Sequence, residues 1–489
     1  MRGIIAKFAL CIEPKVVNMV REKSVFVMGE AVDSVKRCCV AAAIARMLGS
    51  VNDRVKVLRC DSSLNTDYAL VDECKHGECF VTEEGDEVPC ECGVCERITG
   101  HATLNVSAGR VLQNILNNER RGNYNGRRLV LDECFADEAR VCVERCDCDR
   151  LVVDVDGEMT SHFAGLAKMM QDDGRAVIVL IGNEECPTDG LTPDVLIEAA
   201  MLEDVSIYDI PELLDRERIY HKVCSILGMK ERGCDAEWKV FAEKLRCADE
   251  DIMIGVVGDY AESENRYLSV KESLKIAGVH AGARVVVKEV CVEHLNHGDI
   301  DASLEGCDAV VIAPGRGAKG MEGRIAVACR CRENDVPMLA IGSGMHAMVT
   351  EVARNVAGLE GANPTTVDAL TPHAVIVMRD GLMMPGACES VVARDTLMHK
   401  VYNTTTVMER HREAMGVNPA YKEVLARCGL MCSMTHGTGH NEMVDAVEMR
   451  GKRWMAGVLF HPEYNGTATT PNKVMTSVVR AAMEKKKEK

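Results

Sequence analysis

Sulfur and nitrogen donors crowd one short stretch of this chain: Cys74, His76, Cys79, Cys90, Cys92 and Cys95. Thiolates and imidazoles brought together can hold zinc in a tetrahedral site. The sequence signature of such a site is two spaced Cys-x-x-Cys pairs, whereas Cys90-x-Cys92-x-x-Cys95 stands with loose flanks. Cys146 and Cys148 form a still shorter pair. Against a metal reading stands the way the chain uses thiols elsewhere: 24 Cys beside 7 Phe, 2 Trp and 9 Tyr. Many lie in apolar stretches such as RCCVAAAIARML and AVACRCREN, where a free thiol packs as a small hydrophobe. The expectation is a reduced, cytosolic chain in which Cys and Met fill the space aromatics usually fill, without zinc.

The elements that would position any site come next. A length of 489 residues allows two to four domains. With 58 basic and 75 acidic residues the net charge is −17, which disfavours non-specific binding to nucleic acid or an anionic membrane. A local basic patch could still take a small nucleotide. No apolar run is long enough to cross a bilayer, and GIIAKFALCI near the start is broken by Lys7 without a small-residue cleavage pattern. The expected location is cytoplasmic, with neither nucleic acid nor membrane as partner.

KSVFVMG is a short apolar run ending in Gly29, followed by the helical-period stretch VKRCCVAAAIARMLGS. VKVLRCD, RLVVDVDG and AVIVLIGN repeat that buried-strand pattern. A second strand series begins at IMIGVVGDY and continues through ARVVVKEV, DAVVIAPG, PMLAIGSG, HAVIVMRDG and MAGVLFHPE. Strands alternating with helices predict an α/β fold with parallel sheets covered on both faces. The predicted organisation is an N-terminal extension (1–20), a first domain (21–232), a charged linker (233–250), a second domain (251–482) and a charged tail (483–489). No internal repeat is present.

Several stretches together resemble the CTP synthase family, whose members make CTP from UTP, ATP and glutamine. They are HGECFVTEEGDE (76–87), ERRGNYNGR (119–127), SIYDIPELL (206–214), IGVVGDYAESENRYLSVKESLKIAG, RHREAMGVNPAY (410–421) and VLFHPEY (458–464). The resemblance implies a P-loop-like amidoligase domain followed by a class I glutamine amidotransferase domain. It also implies ATP and Mg2+ as cofactors, UTP and CTP as ligands, and assembly into homo-oligomers or hetero-oligomers. The Gly315-x-Gly317 pair is accounted for by the family's oxyanion turn rather than by a dinucleotide fingerprint. That turn, PGRGAKG (314–320), is one residue short of the family's Gly-Gly-Phe-Gly.

The motifs depart from the family where chemistry would occur. Its phosphate loop, Gly-Gly-x-x-Ser-Ser-x-Gly-Lys-Gly, falls on residues 29–38, which keep Gly29 and Ser34. Arg37 replaces the lysine, Lys36 offers a substitute cation, and Glu30 and Asp33 set carboxylates where phosphate would sit. At about 5 Å and an effective dielectric near 20, each like-charge pair costs roughly 3 kcal/mol. The family's magnesium acids fall on Glu91 and Asp154. The uracil-nucleotide turn becomes DGEMTSH (156–162), and its basic segment after AVIVLIG is missing. In the second domain the family's Gly-Ile-Cys-Leu-Gly elbow reads Ala340, Ile341, Gly342, Ser343, Gly344. A glycine has no nucleophile, and Ser343 is one position out of register. His461 and Glu463 keep the family's base and base-orienter positions. The expectation is a catalytically degenerate CTP synthase homologue acting as a regulatory or structural partner; the alternative is an active enzyme fed by ammonia.

Overall fold

The computed structural model describes residues 23–29, 33–49, 54–64, 78–182, 191–230, 233–259, 266–292, 295, 300–315, 317–378, 385–439 and 442–488. The expected extension 1–20, Glu30, Cys74 and His76 lie outside the described residues. Two compact units emerge, one formed by 1–66 with 103–234 and the other by 67–102 with 235–489.

Before residue 200 the strands are β1 (Ser24–Met28), β2 (Val55–Asp61), β3 (Cys79–Val81), β4 (Glu87–Pro89), β5 (Leu104–Ser107), β6 (Arg150–Val155), β7 (Ala176–Gly182) and β8 (Val195–Glu198). The first unit holds a six-stranded sheet in the order β5-β2-β6-β1-β7-β8. Every pairing in it is parallel. Every residue of β1 and β7 is buried, which explains why their sequences read as unbroken aliphatic runs rather than alternations. The chain crosses over itself at β1 and β6, and in such sheets the carboxyl ends at that crossing form the natural crevice.

The second unit adds β9 (Asp251–Gly258), β10 (Arg284–Cys291), β11 (Ala309–Ile312), β12 (Met338–Ile341), β13 (Asn363–Pro364), β14 (Ala374–Met378), β15 (Gly386–Val392), β16 (Thr406–His411), β17 (Met415–Val417), β18 (Leu430–His436), β19 (Met443–Met449) and β20 (Met455–Val458). A nine-stranded sheet runs β10-β9-β11-β12-β20-β19-β18-β15-β16, with β13-β14-β17 as a separate small sheet. It is parallel from β10 to β20 and antiparallel beyond.

Within the charged stretch 233–250, helix Ala236–Cys247 occupies most of the length, capped by Asp235. Trp238 and Phe241 are buried on one side of that helix, so its charge run is only the solvated face. By compactness, the segment after residue 66 up to 102 groups with the second unit. Phe80, Val81, Val88 and Cys92 form a small core with Tyr464, whose hydroxyl donates to the carbonyl of Cys79 at 2.9 Å. Most described cysteines are free thiols, but Cys38 and Cys95 are each engaged in a disulfide, against the wholly reduced state expected from composition. Among the described residues no helix is long and apolar enough to cross a membrane.

Candidate functional site

β1 delivers its carboxyl end to Gly29. Here φ is +138°, and an added Cβ would stand 2.0 Å from the Ile181 carbonyl oxygen, so only glycine fits. Asp33 then caps helix Ser34–Leu48, its carboxylate accepting from the Lys36 N–H at 2.8 Å. Ser34 and Lys36 stay partly exposed in the first turn, while Arg37 turns inward and is 2% exposed.

The inward turn carries Arg37 to the acids at the end of β6. Its Nε donates to Oδ1 of Asp154 and its Nη2 to Oδ1 of Asp156, both at 3.0 Å. From β2, Arg59 Nη1 donates to the other Asp154 oxygen at 2.7 Å. Both oxygens of a fully buried carboxylate are thus held by guanidinium groups. Asp156 also accepts from the Gly157 N–H at 2.8 Å. Burial alone would raise Asp156, but Arg37, Arg59 and that N–H hold it below the usual carboxylate range.

In the second unit, β12 ends at an elbow formed by Gly342, with φ +55° and ψ −116°. A Cβ added there would stand 3.4 Å from Nε2 of His461 and 3.1 Å from Oε1 of Glu413. Nδ1 of His461 lies 2.8 Å from Oε1 of Glu463, and the imidazole stacks on Tyr464 at 4.9 Å between centroids. Burial works against the imidazolium, yet Glu463 and Glu413 outweigh it and raise His461 above its ordinary value. The His461 imidazole, paired with the Glu463 carboxylate, therefore faces a position without a side chain. Ser343 accepts a hydrogen bond from the Gly315 N–H at 2.7 Å, which commits its oxygen to the neighbouring turn.

The profile described as the CTP synthase N-terminus matches residues 23–172, and that of class I glutamine amidotransferases matches 264–481. The CTP synthase of Synechococcus sp. (strain CC9605) is 30% identical, with 95% of this chain and 96% of that protein covered. The chain belongs to the CTP synthase family. The CTP synthase of Sulfurisphaera tokodaii is 29% identical over 94% of this chain and 99% of its own. Among solved structures, the Trypanosoma brucei CTPS glutaminase domain with bound acivicin matches at 29% identity, covering 48% of this chain and 94% of its own, TM-score 0.46.

CTP synthases imply magnesium and ATP, and the residues at the end of β6 do not fit that pair. Magnesium asks for a near-octahedral set of oxygens. Here Asp154, the expected metal acid, already spends both oxygens on Arg37 and Arg59. At 4 Å and an effective dielectric of 20, each guanidinium would repel even a single positive charge by about 4 kcal/mol. Glu91, the other expected acid, lies in the first turn of helix Cys90–Thr99. Arg59 carries no sequence motif and reaches the site through its pairing with Asp154, while Glu413 comes from the family-like stretch 410–421 without an expected role.

A small cavity of about 20 Å3 adjoins the His461–Glu463 dyad, lined in part by Glu78, Arg266, Tyr267, Arg412, Glu463 and Tyr464. Burial pushes Glu78 up to about 7, despite the Ser269 N–H and the Arg97 charge that favour its anion. Folded Glu78 therefore keeps its proton through a range in which an unfolded glutamate, at 4.5, has lost it. The stabilisation is full below about pH 4.5 and is lost as pH rises to about 7, amounting to roughly 3 kcal/mol. Glu78→Gln should flatten this slope in urea unfolding followed by tryptophan fluorescence. An unchanged slope would assign the loss to other groups.

Proposed function

We propose that this chain is a CTP synthase homologue that has lost both half-reactions and serves as a regulatory or structural partner in CTP synthase assemblies. One observation carries the reading: the internal guanidinium of Arg37 occupies Asp154 and Asp156, where a metal-bound triphosphate would need those acids free. The bare elbow at Gly342, facing His461 and Glu413, supports the same reading for glutamine hydrolysis. The buried Arg37–Asp154–Arg59 cluster ties helix Ser34–Leu48 and β2 to the end of β6. A protein that keeps both CTP synthase domains while its sites are internally neutralised retains the surfaces of an enzyme rather than its chemistry.

A second reading has its own support. The relatives that match 94% and 95% of this chain are CTP synthases, which favours ATP-dependent amination of UTP with ammonia as the nitrogen donor. Equilibrium dialysis separates the two. The partner role expects no saturable uptake of ATP or UTP in the presence of magnesium, and co-purification with an active CTP synthase. Saturable ATP uptake that disappears in a magnesium-free buffer would favour the enzyme.

A further inference from the structure

The antiparallel edge of the large sheet carries a polar cluster to which the family-like stretch 410–421 contributes only His411. Four neighbouring strands contribute one residue each: Ser390 from β15, His411 from β16, His436 from β18 and Asp445 from β19. His411 and Asp445 are fully buried and His436 is 5% exposed. One ligand atom from each of His411, His436 and Asp445 lies within 4.8 Å of the others.

The hydrogen bonds fix which atoms face inward. Nδ1 of His411 lies 3.0 Å from the Glu409 carbonyl oxygen. A carbonyl only accepts, so Nδ1 carries the proton and Nε2 presents either a lone pair or a second proton. Nε2 is 3.2 Å from Oδ1 of Asp445, yet makes no hydrogen bond of acceptable geometry. On the other side, Nδ1 of His436 approaches the same Oδ1 at 2.5 Å. The second oxygen of Asp445 accepts from the Ser390 hydroxyl at 2.7 Å, which fixes the carboxylate plane. Two imidazoles therefore converge on one carboxylate oxygen, an arrangement that a metal ion held between them would satisfy.

We propose that His411, His436 and Asp445 form a buried binding site for a zinc-class divalent cation. Two imidazole nitrogens and one carboxylate oxygen are the donor set that such borderline ions prefer, whereas magnesium and calcium prefer oxygen alone. An imidazole N–H on a backbone carbonyl and a hydroxyl on the carboxylate are the outer contacts that orient metal ligands. Bonds of 2.0–2.1 Å in a tetrahedron separate ligand atoms by roughly 3.3 Å. The His411–Asp445 separation already meets this, and the His436–Asp445 contact must open by somewhat under an ångström. A water completes the fourth position. The ion pins β16, β18 and β19 at the sheet edge, a structural role independent of the proposed function.

The test uses the full-length chain, stripped with a chelator and titrated with cobalt(II). The expected result is one equivalent bound, with visible bands of a tetrahedral nitrogen and oxygen site that zinc displaces. The intense near-ultraviolet band of thiolate-bound cobalt should be absent. His436→Gln should remove these bands while the far-ultraviolet circular dichroism stays unchanged. Independently of any variant, zinc should raise the thermal midpoint of the stripped wild type by several degrees, read by tryptophan fluorescence. Failure to bind cobalt would overturn the site and leave a proton-bridged His–Asp–His network. Thiolate-type bands that survive in His436→Gln would overturn it equally, by assigning the metal to cysteines.

Discussion

Arg37→Ala should destabilise the first unit by about 3–5 kcal/mol, the usual consequence of stripping one partner from a buried ion pair. Asp154 is wholly buried and would keep only Arg59, while Asp156 would lose its guanidinium. Because Trp238 and Trp454 both lie in the second unit, tryptophan fluorescence reports that unit alone. The unfolding transition should therefore move to lower urea by circular dichroism and stay in place by fluorescence. Arg37→Lys should recover little of the loss, because one ammonium cannot reach both acids in the fork geometry that Nε and Nη2 provide. A stability change under 1 kcal/mol would mean that the cluster is solvated and that Arg37 can leave it to make room for a phosphate.

The second large effect concerns the elbow. Wild-type protein should release no measurable ammonia from glutamine, since loss of a nucleophile costs on the order of a million-fold in rate. Gly342→Cys returns a thiol to a position whose Cβ lies 3.4 Å from Nε2 of His461. Two obstacles remain. The backbone at φ +55° costs a side chain roughly 1–2 kcal/mol, and the carboxylate of Glu413 stands 3.1 Å from the new Cβ. The double change Gly342→Cys, Glu413→Ala should raise ammonia release by on the order of a hundred-fold over wild type, and more than Gly342→Cys alone. The altered turn at 314–320 keeps it short of a full enzyme. Glutamine hydrolysis by the wild type would mean another nucleophile, and Ser343→Ala would then identify or exclude the neighbouring hydroxyl.

Much of this was legible in the chain itself, and the reason differs by feature. The buried parallel strands β1, β6 and β7 announce themselves because both faces must be apolar, which leaves continuous aliphatic runs. Gly342, His461 and Glu463 are legible because the elbow and the His-Pro-Glu turn are local motifs. Asp154 was readable only as an acid. Its partners Arg37 and Arg59 lie 117 and 95 residues away, so its neutralisation could not be read from spacing. The transfer of 67–102 to the second unit has the same cause, since Phe80 packs with Tyr464 across most of the sequence. The charged face of helix Ala236–Cys247 dominates its composition, while Trp238, Phe241 and Ala242 form the narrow buried stripe that marks it as packed. The His411–His436–Asp445 cluster has no sequence signature, because sheet order rather than spacing brings its strands together.

The most direct measurement is CTP formation by the purified full-length protein from UTP, ATP and magnesium, with ammonium chloride replacing glutamine. Ammonia bypasses the bare elbow at Gly342, so the result depends only on the site where Arg37 holds Asp154 and Asp156. The expected result is no CTP above the enzyme-free control from a folded, assembled sample. Steady CTP accumulation would contradict the loss of the synthase half-reaction and make the protein an ammonia-dependent CTP synthase.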